Sequence, residues 1–226
     1  MNATALTANR PTAADARVLA DVVAAPFEKL RVPSWARHAA LVVLGSWLVA
    51  GLAQLVIPMG LVPITGQTLG VLLVGALLGS RRGAAALVAY LAQGAAGLPV
   101  FAGAAAGPAV LMGPTAGYLF AFVPAAFLVG LLAERGWDKR TSSTLLAMTL
   151  ATAVIFIGGL AWLGTLAASG ALQTAAADPA PGITGLQSLL AAGFYPFLPG
   201  AVIKALIATT LLPMGWEAVR WIEGRR

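Results

Sequence analysis

The chain has 226 residues, 59% hydrophobic and 10% charged, where a soluble domain carries about 25% charged residues, and its formal net charge is +6. That composition excludes a soluble globular fold. The apolar runs are continuous rather than alternating, which excludes a β-barrel and leaves an all-α integral membrane protein. With no cysteine and a single histidine, His38, there is no disulfide or thiolate metal site, and no cofactor is expected.

Residues 1–34 mix Arg, Asp, Glu and Pro and lack a short apolar core with a cleavage site. They read as a cytoplasmic leader, with a short amphipathic helix over Asp15–Leu30. Residues 35–226 read as one transmembrane domain of six helices. The first runs from Trp35 to Ile57. The second, Gln67–Gly79, is short and covers only about 20 Å. The third is Arg82–Gly97. The fourth, Thr115–Glu134, contains Pro124 as a kink. The fifth is Thr141–Ala168. The sixth begins at Pro199, where proline suits the first helical turn, and ends near Leu212, with a separate tail helix after Pro213.

The basic residues set the orientation. With both termini cytoplasmic, the inner segments hold Arg10, Arg17, Lys29, Arg31, Arg37, Arg81, Arg82, Arg135, Lys139, Arg140, Arg220, Arg225 and Arg226. That is 13 of the 14 lysines and arginines, and the outer loops hold none. The positive charge therefore faces an anionic leaflet of the lipid bilayer, not a nucleic acid. Trp35, Trp137, Trp216 and Trp221 fall at the same inner boundary and read as interfacial anchors.

The remaining cation is Lys204, five residues past Pro199 and about 7.5 Å into the sixth helix from its outer end. A charge at such a position is by default functional. The plainer alternative is a lysine that snorkels to the interface. Against it, no Asp or Glu lies in the core of any expected span, and the one outer acid is Asp178, in a loop. A buried cation without a counter-charge favours an anion from outside, and the amino end of the helix points the same way. Together they describe a receptor for a ligand carboxylate.

The outer segments, 58–68, 98–118 and 176–200, are rich in glycine and proline, and the first two are unusually apolar for loops. Non-helical backbone at membrane depth is tolerated where it lines a cavity. Thr65 and Gln67 are polar exceptions in the first segment. Tyr90, Phe101, Tyr118 and Tyr195 offer aromatic walls, although a tyrosine near a membrane surface also serves as a simple anchor. The chain has no phosphate-binding G-x-x-x-x-G-K-[ST] loop, no carboxylate relay within a span, and no nucleophile-and-base arrangement. It does not read as an enzyme. A binding site without its own engine implies either an ATP-hydrolysing partner or a passive carrier.

Four segments, "VPITGQTL", "GLPVFAG", "LMGPTAGYL" and "PFLPGAVIKA", resemble in content and order the signature segments of the BioY family. These are the biotin-specific substrate-binding subunits (S components) of energy-coupling-factor transporters. The resemblance runs from about Trp35 to Leu212. It implies a six-helix membrane fold in the cytoplasmic membrane with biotin bound near the outer face. It further implies a complex with two ATPase subunits and one transmembrane coupling subunit. It carries over Thr65 and Gln67 in a capping loop, Tyr90, Phe101 and Tyr118 as pocket walls, and Lys204 in the last segment. Ala36 and Ala40 resemble the alanine motif that contacts the coupling subunit. Two positions depart from the family: Ala201 stands where an Asp is usual, and Ala116 where a Gly is usual. An acid at 201 would share a helix face with Lys204 and could pair with it.

Biotin suits the residues: a carboxylate for Lys204, an apolar body for the aromatic walls, and a ureido group for Thr65 and Gln67. The residues alone also admit lipoate or another small carboxylic acid. A stand-alone carrier and a structural membrane protein without a ligand are the other classes they allow.

Overall fold

A computed structural model describes residues 18–24, 33–59, 61–171 and 185–223. Within the leader the described residues are 18–24, 33 and 34, and they include a short helix, α1 (Leu19–Ala24). It does not stand apart from the bundle. Val18, Leu19 and Ala20 are buried in the main core, and Asp21 accepts a 2.6 Å hydrogen bond from Arg82 in an ion pair. The rest of the expected Asp15–Leu30 helix lies outside the described residues, as does Asp178.

The first long helix, α2 (Ser34–Ala53), starts directly after Pro33. It stops short of the expected Ile57 because Val56–Ile57 turns into a two-residue strand, β1, paired antiparallel with β2 (Ile64–Thr65). Gly66 then lies against the backbone carbonyl of Leu52, so close that a Cβ would collide with it. That contact seats the start of α3 (Gln67–Leu78) on the end of α2.

One residue, Gly79, separates α3 from α4 (Ser80–Ala95). Its φ of +85° is a conformation that glycine adopts without steric cost. The amino end of α4, where Ser80 is buried, is capped from another helix: Glu134 Oε1 accepts from the Ser80 N–H at 2.7 Å and from its hydroxyl at 2.8 Å. The segment from Leu98 to Thr115 has two short 3₁₀ turns, Ala102–Ala104 and Pro108–Met112. Next come α5 (Ala116–Ala133), which runs through Pro124, a turn at Trp137–Lys139, and α6 (Thr141–Ala168). Within the segment read as an outer loop, Leu186–Gly193 forms a further helix, α7.

The last helix corrects the expected break. α8 is continuous from Leu198 to Glu223, through Pro213. A proline in a helix interior costs about 3 kcal/mol. Here the residues on either side, Leu212 and Trp216, are fully buried in the core, and that packing holds the helix through the proline. Trp216 is accordingly no interfacial anchor. Its indole N–H donates to Asp138 Oδ2 at 2.6 Å, and Lys139 Nζ sits 4.3 Å above its ring. Trp35 and Trp221 are largely exposed.

α5 is the hub, packed against α3, α4 and α6. Close approach depends on small residues: a Cβ at Gly75 would meet Ala126 and Val129, and Gly83 lies against Gly75. By length and composition, four stretches are apolar enough to cross a membrane: Ser34–Ala53, Ala116–Ala133, Thr141–Ala168 and Leu186–Ile222. The packing gives the bundle two unlike ends. One carries Arg81, Arg82, Arg135, Lys139, Arg140 and Arg220 at helix ends and turns. The other carries the hairpin, the 98–115 segment and the start of α8.

Candidate functional site

At the second end a cavity of about 180 Å³ opens between the hairpin, the 98–115 segment and helices α3, α5, α6 and α8. Its lining is mostly apolar, including Val62, Leu72, Val110, Phe122 and Ile155. Thr65, Gln67, Phe101, Tyr118 and Lys204 all line it, so the structure brings together five of the six expected site residues.

The polar groups are wired together. Thr65 Oγ1 donates to Gln67 Oε1 at 2.9 Å and accepts from the Gln67 backbone N–H at 3.3 Å. Gln67 Nε2 donates to the Tyr90 hydroxyl at 2.6 Å, and that hydroxyl donates to the Val100 carbonyl at 3.1 Å. These bonds fix the orientation of the Gln67 amide and leave one N–H and one lone pair of it for a ligand.

Tyr90 is the correction among the expected walls. It is fully buried and does not line the cavity. It stands behind Gln67 and Phe101, with its ring edge-on to Phe101 at 5.5 Å between centroids. The reason is the hydroxyl, which has two partners only when it is inserted between α3 and the 98–115 segment. Phe101 in turn lies flat over Gly94, where a Cβ would overlap the ring. Tyr118 lines the cavity and donates to the Gly193 carbonyl at 2.7 Å, tying α5 to α7. Its ring occupies the space that a side chain at Gly159 would need.

Lys204 reaches the cavity from the second turn of α8. Its Nζ donates to Thr68 Oγ1 at 2.9 Å. The sequence reading of a cation without a counter-charge meets a refinement here: the partner is a hydroxyl, which solvates the ammonium but does not neutralise it. Among the described residues Lys204 is in no ion pair. Ala201 lines the cavity one turn before it, so an acid at position 201 would face the same space.

Sequence reasoning passed over Thr68, Thr115, Thr152 and Phe197, which also line the cavity. Thr68 had a signal, its place beside Gln67 at the start of a helix. Thr152 had none, because its hydroxyl is satisfied by the Met148 carbonyl of its own helix and only packing turns it toward the cavity. Ala36 and Ala40 are far from the cavity. They sit at the opposite end, in the first turns of α2, half-buried and exposed respectively.

The family model for the BioY family matches residues 21–221. The chain belongs to the BioY family. Among curated BioY proteins, the biotin transporter BioY of Rhodobacter capsulatus is 40% identical over 154 residues, covering 67% of this chain and 77% of that one. The biotin transporter BioY of Thermotoga maritima is 36% identical over 174 residues, covering 76% and 87%. Among solved structures, the fold matches the crystal structure of an S-component for biotin from an ECF-type ABC transporter. The TM-score is 0.63 at 26% identity, over 79% of this chain and 90% of the other. The matched BioY region holds the whole cavity, from Val62 to Lys204.

Proposed function

We propose that this chain binds biotin in the cavity between the hairpin, the 98–115 segment and α8. It takes the vitamin up as the substrate-specific subunit of an energy-coupling-factor transporter. The observation that supports this most directly is the cavity itself. An apolar, aromatic-walled space holds one ammonium on a neutral hydroxyl, in a chain of the BioY family. Lys204 receives the carboxylate, aided by the amino end of α8. The Gln67 amide and Thr65 meet the ureido group, and Phe101 and Tyr118 enclose the apolar body.

In this reading the chain is a multi-pass protein of the cytoplasmic membrane, with α2, α3, α4, α5, α6 and α8 as its six crossings. Both termini lie inside with the basic end, and the cavity lies near the outer face. Two ATPase subunits and a transmembrane coupling subunit supply the energy, and Ala36 and Ala40 on α2 contact the coupling subunit. Enlarging either alanine to leucine then lowers complex formation and leaves biotin binding intact.

Calorimetry with biotin on the detergent-solubilised chain tests the proposal. One saturable site is expected. An absence of heat together with an absence of competition against labelled biotin overturns it. Uptake that survives ATP depletion without any coupling subunit would assign transport to the chain alone.

A further inference from the structure

Two segments distant in the chain close the same cavity: the region after α2 and the 98–115 segment. Besides the Gln67–Tyr90–Val100 relay, one side chain bonds directly from the end of α2 to the second segment. Gln54, the residue that ends α2, extends its amide to the turn at residues 101–104. Its Nε2 donates to the Phe101 carbonyl at 3.2 Å and to the Ala50 carbonyl of its own helix at 2.9 Å. Its Oε1 accepts from the Ala104 N–H at 2.9 Å. The Ala104 N–H can only donate, so the oxygen must lie on that side and the amide orientation is determined.

The turn so held is strained. Gly103 has φ +64° and Ala104 has φ +59°, and Ala104 is the only non-glycine residue with positive φ among the described residues. In that conformation an alanine crowds its Cβ against the following carbonyl oxygen, a penalty that glycine escapes. A strained residue persists where its surroundings over-determine it. Gln54 is the side chain that grips this one. The turn carries Phe101, and Phe101, Ala102 and Ala105 line the cavity while Gln54 does not.

We infer that Gln54 is a positioning residue for the bound ligand: by gripping the 101–104 turn it keeps the Phe101 wall closed, and ligand release requires that grip to open. This rests on the assignment of the cavity as the biotin site. The competing account is that Gln54 merely finishes α2, since one of its three bonds goes to Ala50.

The experiment measures the rate at which preloaded radiolabelled biotin leaves the purified full-length chain during a chase with unlabelled biotin. Gln54→Ala is expected to speed release roughly 5- to 10-fold, the effect of two lost hydrogen bonds. Ala104→Gly, which relieves the strain the amide holds, is expected to restore at least half of that change in the double variant. By itself Ala104→Gly leaves the rate within about twofold of the unaltered chain. A helix-ending role predicts a lower melting temperature, an unchanged release rate, and no rescue from a position fifty residues away. Should Gln54→Ala not fold, Gln54→Glu keeps the acceptor for Ala104 and loses the donor to Phe101. It is expected to release biotin about 3-fold faster. Unchanged release in either folded variant, or faster release that Ala104→Gly does not reduce, overturns the inference. Absence of binding in the unaltered chain overturns the assignment of the cavity, and the inference with it, before any variant is compared.

Discussion

Replacing Lys204 with methionine keeps the length of the side chain and removes its charge. In the structure the ammonium has a 2.9 Å contact to the neutral Thr68 hydroxyl, and Lys204 forms no ion pair among the described residues. A ligand carboxylate would therefore be its counter-charge. A charge-assisted hydrogen bond is worth about 1.5–3 kcal/mol, so Lys204→Met should raise the Kd for biotin about 10- to 150-fold. Thr68→Val removes only a neutral partner and should cost about 2- to 10-fold. The assay is calorimetry with biotin and with biotin methyl ester. The ester should bind the unaltered chain poorly and lose little more in Lys204→Met, because both changes delete the same interaction. The ligand-free variant should also melt higher, since an uncompensated cation has left a half-buried position. Wild-type affinity in Lys204→Met would reduce the lysine to a snorkelling residue. Equal weakening of acid and ester would show that the ammonium meets another part of biotin, and would reverse the assigned orientation.

Three further outcomes follow from the geometry. Tyr90→Phe removes the hydroxyl between Gln67 Nε2 and the Val100 carbonyl, so acid and ester should weaken alike, by about tenfold, in the same calorimetry. Gly94→Ala drives a methyl group into the Phe101 ring and should lower biotin affinity, whereas Gly51→Ala, with nothing within 4 Å, should leave it unchanged. Asp138 lies in the turn between α5 and α6, where burial pushes its carboxyl from 3.8 to about 6, against the opposing pull of the Trp216 hydrogen bond and the Lys139 charge. A raised carboxyl pKa means that the folded state holds the proton more tightly. The associated stability is complete below about pH 4 and is lost as pH rises through about 6. Melting curves of the unaltered chain should fall across that window, while Asp138→Asn stays flat and is the more stable of the two at pH 7. Parallel curves would refute the burial argument.

The sequence by itself determined the class, the approximate position of most helices and the place of the cavity. Each of these is written in local composition. A run of apolar residues about as long as a bilayer is thick must be helical, whatever it packs against. A lone lysine within such a run, beside segments of glycine and proline, marks a cavity because neither feature is tolerated at membrane depth without one. Only the tertiary structure decided which groups meet. Thr68 and Lys204 are 136 residues apart, and nothing local pairs them. Tyr90 and Tyr118 read alike in sequence, yet one stands behind the wall and the other in it, because the hydroxyls found different partners. Pro213 signals a helix end by its own chemistry, and α8 passes through it because Leu212 and Trp216 are buried on either side. The grip of Gln54 on Phe101 and Ala104 depends on a turn whose strain no local preference would select. Hydropathy and propensity are sums over neighbours in the chain. A binding site is made of neighbours in space, and its partners are chosen by packing.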